Sequence, residues 1–237
     1  MIDLKGKKAI VTGGGRGLGK AVALSLAAEG VSVAITGRNE DTMKGTVAEI
    51  EKLGVKAFYA VFDVADETAA TAGIQKLAES LGGVDILINN AGIGDFGTLE
   101  EMSSEAWKKV IDINLFGVYY AAQAVYPYMK AKNEGDIVNV ASTAGLKGGA
   151  GMSAYAASKA AVISLSQSMM AEWRKSNIRV MTLTPSTIAT DLTLGTLTDG
   201  NPEKVLQPED FAQWVTDMLK MNRRALIANG SIFSTNP

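Results

Sequence analysis

The chain has 237 residues, a formal net charge of −2, and neither cysteine nor histidine. The missing cysteine excludes disulfides, iron–sulfur clusters and thiolate zinc sites, and the missing histidine excludes a Ser-His-Asp triad, a histidine base and histidine metal ligands. Any enzymatic proton transfer must then run through Asp, Glu, Lys or Tyr, and the near-neutral charge balance advertises neither nucleic acid nor a membrane as partner.

Residues 1–8 lead straight into a short apolar strand and a glycine loop, unlike a signal or transit peptide, and no apolar run reaches the length of a membrane span. A cytoplasmic protein is expected. In chain order, residues 8–12 read as a strand and 18–28 as an Ala/Leu-rich helix. Residues 31–36 are a strand, followed by a helix over 40–53 that Gly54 closes. Residues 56–61 form a strand, 67–81 a helix ending at Gly82-Gly83, and 84–88 a strand. One long helix is predicted over 104–130, with Ser103 or Ser104 as N-cap. A strand at 136–140, a long helix over 153–175 and a strand at 178–183 follow. The last elements are a helix over 208–221, with proline at its start, and a short strand at 224–228.

The strands are nearly continuous apolar runs, as expected where helices cover both faces of a parallel sheet. Repeated strand–helix units without linker or repeat predict a single α/β domain over 1–237. It is a Rossmann fold, a doubly wound, mostly parallel seven-stranded sheet with helices on both faces.

The first strand runs into Thr12-Gly13-Gly14-Gly15-Arg16-Gly17-Leu18-Gly19, and a helix begins at once. Glycines let the backbone turn tightly beside a phosphate, and the helix N-terminus offers free N–H groups. The G-x-G-x-x-G fingerprint fails in every register. Gly14 and Gly19-Lys20 imitate a P-loop, but Ala21 stands where that motif needs a hydroxyl for Mg²⁺. Dinucleotide binding is favoured, with triphosphate binding and a plain strand–helix turn as the alternatives. The end of the second strand reads Ile35-Thr36-Gly37-Arg38, without the carboxylate that holds the ribose of NAD. Arg38 and Arg16 are suited instead to a 2′-phosphate, which points to NADP(H).

Tyr155 and Lys159 lie four apart in a predicted helix and so share a face. An ammonium about 4 Å from the phenol, at an effective dielectric near 20, is worth about 4 kcal/mol. That would lower the phenol pKa by two to three units from about 10, enough for proton exchange near neutrality.

Together, the loop, the Tyr/Lys pair and the order of elements resemble the short-chain dehydrogenase/reductase family over nearly the whole chain. Asp63-Val64, Asn89-Asn90-Ala91-Gly92, Asn114 and Ser142 also match its motifs. The resemblance implies a catalytic set in which Ser142 bonds the substrate oxygen and Tyr155 exchanges the proton. Lys159 would lower the Tyr pKa and hold the nicotinamide ribose, and Asn114 would support a relay water. It implies cofactor contacts from Gly13, Gly15, Arg16, Gly17, Leu18, Gly19, Arg38, Asp63, Val64, Asn90, Ala91, Gly92, Tyr155 and Lys159. Pro185, Ile188 and Thr190 would meet the nicotinamide end, although Pro185-Ser186 replaces the family's usual Pro-Gly and would stiffen that turn.

The nearest resemblance is to the 3-oxoacyl-acyl-carrier-protein reductases of fatty acid biosynthesis. It implies reduction of an acyl thioester; a broad carbonyl or diketone reductase, or a non-reductase nucleotide-binding protein, are the alternatives. Lys130, Lys132, Arg174 and Lys175, close to Asn133 and Ser176, would dock an acyl carrier protein or form a solvated helix end. Residues 189–206 are expected to form a short substrate lid, turn-rich at Gly195, Gly200 and Pro202 and apolar at Leu192, Leu194 and Leu197. The tail from 229 to 237 is read as replacing the family's glycine-ended closing strand. A homodimer, or a homotetramer, would form through the helices at 104–130 and 153–175.

Overall fold

A computed structural model describes residues 1–193 and 201–235. Seven strands form one sheet: β1 (Lys8–Thr12), β2 (Ser32–Gly37), β3 (Ala57–Val61), β4 (Ile86–Asn89), β5 (Gly135–Val140), β6 (Ile178–Pro185) and β7 (Asn229–Ile232). Their order is β3-β2-β1-β4-β5-β6-β7, and every pairing is parallel. The helices are α1 (Gly17–Ala28), α2 (Glu40–Glu51), α3 (Glu67–Leu81), α4 (Ser104–Ile111), α5 (Gly117–Lys132), α6 (Ser153–Trp173) and α7 (Pro208–Leu219).

Alternation along the strands builds the core on both faces. Val11 and Ile88 join Val22, Leu26 and Phe211 on one side, while Ile10 and Leu87 join Ile74, Val125 and Met129 on the other. Caps set the helix starts: Asn39, Asp66 and Ser103 each accept a backbone N–H from the first turn that follows. Among the described residues, no helix is long and apolar enough to cross a membrane.

Two predicted elements are corrected. The helix expected to be continuous over 104–130 is three segments, because a five-residue π-helical stretch, Asp112–Phe116, interrupts it between α4 and α5. The closing strand is not at 224–228 but at Asn229–Ile232, inside the tail that was read as replacing it. Arg179 donates to the carbonyls of Met221 and Ala225, and Arg223 donates to Asn177 and Gly135. These bonds hold 221–225 as a turn, so the chain reaches β6 only where Thr182 N–H meets the carbonyl of Ala228.

Those arginines belong to a network at the N-terminal edge of the sheet. Buried Asp136 receives Arg179 and Arg223. Asp85 receives the backbone N–H of Lys8 and the ammonium of Lys132, and Glu134 receives Lys7 at 2.6 Å. The opposite, C-terminal edge carries the glycine loop. The strand order reverses between β1 and β4, and the crevice there is where open α/β sheets take their ligands.

Candidate active site

A groove of about 620 Å³ runs along the C-terminal edge of the sheet. Every residue expected to touch a dinucleotide lines it, as do Ser142, Tyr155 and Lys159; Asn114 does not. Phe62, Met43, Thr36, Asn39 and Thr42 also line it and were not singled out from the sequence, because nothing in their spacing sets them apart.

The glycine loop is built for close approach. Gly13 and Gly17 adopt φ of 68° and 52°, left-handed conformations that favour glycine. A Cβ on Gly19 would stand 2.3 Å from the Gly13 carbonyl oxygen, so that position tolerates only hydrogen where α1 packs against the loop. Arg16 precedes α1 without a side-chain cap, leaving the first N–H groups of the helix to whatever occupies the groove. The Thr12 hydroxyl accepts the N–H groups of Asn90 and Ala91, both at 3.0 Å, and Asn90 donates back to the Thr12 carbonyl, so the loops after β1 and β4 are one unit.

Arg38, after β2, lies 3.8 Å from Asp63, and Arg16 pairs with Asp191 at 3.1 Å across the groove mouth. All four side chains are solvent-exposed, so these pairs hold the arginines weakly. An uncapped helix start, left-handed glycines and two loosely held guanidiniums together fit the phosphates of a dinucleotide.

At the other end, Ser142 follows β5, and Tyr155 and Lys159 occupy the first turns of α6. Lys159 is buried, its Nζ donating to the Val140 carbonyl at 2.8 Å and standing 5.7 Å from the centre of the Tyr155 ring. Burial pushes the Tyr155 phenol up, opposed only by its hydrogen bond with Ser142, and burial pushes the Lys159 ammonium down to about 8. Tyr155 is thus a neutral phenol near pH 7, where Lys159 still carries its charge. Phe96 meets the Tyr155 ring edge-on at 5.7 Å, and both Phe96 and Leu192 crowd the space over Gly94.

Asn114, in the π-helical stretch, is fully buried behind the groove, bonded to both backbone groups of Ile93 and to Ser158. Ser158 was missed from the sequence; a serine inside an Ala-rich helix carries no signal of its own. At Pro185-Ser186, the Ser186 N–H donates to the Ile232 carbonyl at 2.9 Å. That bond is made by the main chain, so a glycine at 186 would make it too. Within 189–206, Leu192 lines the groove, while Leu194, Gly195, Leu197 and Gly200 lie outside the described residues. Lys132 is engaged by Asp85, and Lys130 lies over the Tyr126 ring.

A profile of the short chain dehydrogenase family matches residues 7–199. The chain is 41% identical over 194 residues to the 3-oxoacyl-(acyl-carrier-protein) reductase of Chlamydia muridarum, covering 81% of this chain and 78% of that protein. It is 34% identical over 215 residues to gluconate 5-dehydrogenase of Gluconobacter oxydans, covering 91% and 80%. Among solved structures, a short chain dehydrogenase from Burkholderia cenocepacia in complex with NADP matches with a TM-score of 0.89 at 33% identity, over 98% of each chain.

Proposed function

The chain belongs to the short-chain dehydrogenase family of nicotinamide-dependent oxidoreductases, and from that premise we propose that it uses NADPH to reduce the ketone of a 3-oxoacyl thioester. One observation carries the assignment of the proton donor: Tyr155 lines the groove hydrogen-bonded to Ser142, with buried Lys159 one helical turn on, so a substrate oxygen there meets an O–H donor.

When bound, the reduced nicotinamide supplies a hydride to the carbonyl carbon. Gly13, Gly17, Leu18 and Gly19 would hold its pyrophosphate, Arg16 and Arg38 its 2′-phosphate, and Asp63 and Val64 its adenine. Asn90, Ala91, Gly92, Lys159, Pro185, Ile188 and Thr190 would hold the nicotinamide end. Ser142 donates a hydrogen bond to the substrate oxygen, and Tyr155 gives that oxygen its proton. Lys159, fixed by its bond to the Val140 carbonyl one turn along from Tyr155, would hold the nicotinamide ribose beside the phenol.

Phe96 against the Tyr155 ring, with Phe96 and Leu192 both over Gly94, supports an acyl arm over the polyhydroxy acid that the name of the Gluconobacter relative implies. Exposed Phe116 and Tyr119 on the outer side of the α4–α5 region support a dimer, and Lys130, Arg174 and Lys175 are the cations for an acidic carrier.

The test follows NADPH and NADH oxidation with an acetoacetyl thioester, diacetyl and a 5-keto sugar acid, beside Tyr155→Phe. Thioester turnover with NADPH is expected, falling at least about a hundredfold in Tyr155→Phe with NADPH affinity kept. Turnover of diacetyl alone would give the general carbonyl reductase reading. Preference for NADH would sink the cofactor assignment, and equal rates in both proteins would remove Tyr155 as the acid.

A further inference from the structure

Tyr155 occupies the first turn of α6, and that turn has no side-chain cap: Met152 precedes it, contributing only its carbonyl, to the N–H of Ala156. An uncapped first turn is where a helix frays, yet a proton donor must hold its place to within a fraction of an ångström. Something other than a cap must fix it.

Ser158 has no solvent exposure. Its hydroxyl donates to the Tyr155 carbonyl at 2.7 Å and accepts from Asn114 Nδ2 at 3.0 Å. Asn114 in turn accepts the Ile93 N–H on Oδ1 at 2.8 Å and donates through Nδ2 to the Ile93 carbonyl at 3.0 Å. Both Nδ2 hydrogens and the hydroxyl hydrogen have partners, and exchanging the amide oxygen and nitrogen of Asn114 would break all three of its bonds. The orientation is therefore unique. The π-helical stretch that interrupts α4 and α5 brings Asn114 between the two partners. Ile93 and Gly94 line the groove. The chain of bonds thus runs from the groove wall, through Asn114 and Ser158, to the main chain of Tyr155.

We propose that Ser158 is a positioning residue: it pins the first turn of α6, and with it the Tyr155 phenol, to the groove wall at Ile93. The inference rests on the reading of Tyr155 as the proton donor. Ser158 does not line the groove, so removing its hydroxyl is expected to act on the rate and leave cofactor binding alone. A loosened donor misplaced by about an ångström loses rate on the order of a hundredfold.

The test compares Ser158→Ala, Ser158→Thr and Tyr155→Phe with the parent protein, in ketone reduction and in NADPH fluorescence titration. Ser158→Ala is expected to lower kcat about ten- to a hundredfold, with NADPH Kd and ketone KM within about threefold of the parent. Ser158→Thr, which keeps a hydroxyl able to bond a carbonyl one turn back, restores most of the rate. If Ser158→Ala does not fold, Ser158→Cys gives the same comparison with weaker bonds at nearly the same volume. Unchanged kcat, or kcat and Kd weakening in step, would overturn the positioning role in favour of a plain structural bond. An active Tyr155→Phe would instead overturn the reading of the donor.

Discussion

Replacing Lys159 by methionine should make the protein more stable at neutral pH while abolishing its activity. The lysine is buried with its pKa lowered from 10.5 to about 8, so the folded state disfavours the cation relative to the unfolded chain. At pH 7 the lysine is charged in both states, and the shift corresponds to about 3 kcal/mol of destabilisation. The unfolded state binds more protons between pH 8 and 10.5, so stability rises with pH through that window, and by pH 10 the penalty has fallen to about 1 kcal/mol. Methionine matches the stem in volume but loses the bond to Val140 and the approach to the Tyr155 ring, about 1–2 kcal/mol together. The net expectation is a gain of about 1–2 kcal/mol at pH 7, about 2–8 °C in melting temperature, shrinking to zero or below at pH 10. Denaturant unfolding of both proteins at the two pH values measures it. A variant less stable than the parent at pH 7, or a difference that ignores pH, would refute the claim that the buried cation strains the fold.

Two further substitutions probe the groove. Gly19→Ala puts a methyl 2.3 Å from the Gly13 carbonyl oxygen and should weaken NADPH binding more than tenfold while lowering the unfolding free energy by about 1–3 kcal/mol, read by fluorescence titration and denaturant midpoint. Arg38→Ala should weaken NADPH about 10- to 100-fold, the worth of one or two charge-assisted hydrogen bonds, and leave NADH affinity unchanged; parallel titration of the two cofactors checks it.

The alternation of strands and helices was legible because burial on two faces writes itself into apolar runs. The glycine loop and the Tyr155/Lys159 register were legible because they are local spacings. What escaped notice depends on partners far away in the chain. The π-helical stretch leaves an apolar pattern that reads as one continuous helix, since Val110, Ile113, Val118 and Ala121 are all buried across the interruption. β7 is Asn-Gly-Ser-Ile, a poor strand sequence beside the more apolar 224–228, and it forms because β6 offers backbone partners after the arginine-held turn. The partner that Lys159 takes was also beyond the reach of local spacing. A spacing of four shares a helix face, but the Val140 carbonyl on a neighbouring strand decides where the ammonium goes.

The knot of Asp136, Arg179 and Arg223 lies on the rim of the sheet away from the groove. A scaffold anchored below can be re-equipped above: side chains such as Phe96 and Leu192 can be exchanged without loosening what grips the tail to the sheet. A substrate preference altered at those two positions should therefore arrive with little change in resistance to unfolding. Swaps that disturb Arg179 should break the barrel of the tool before its blade.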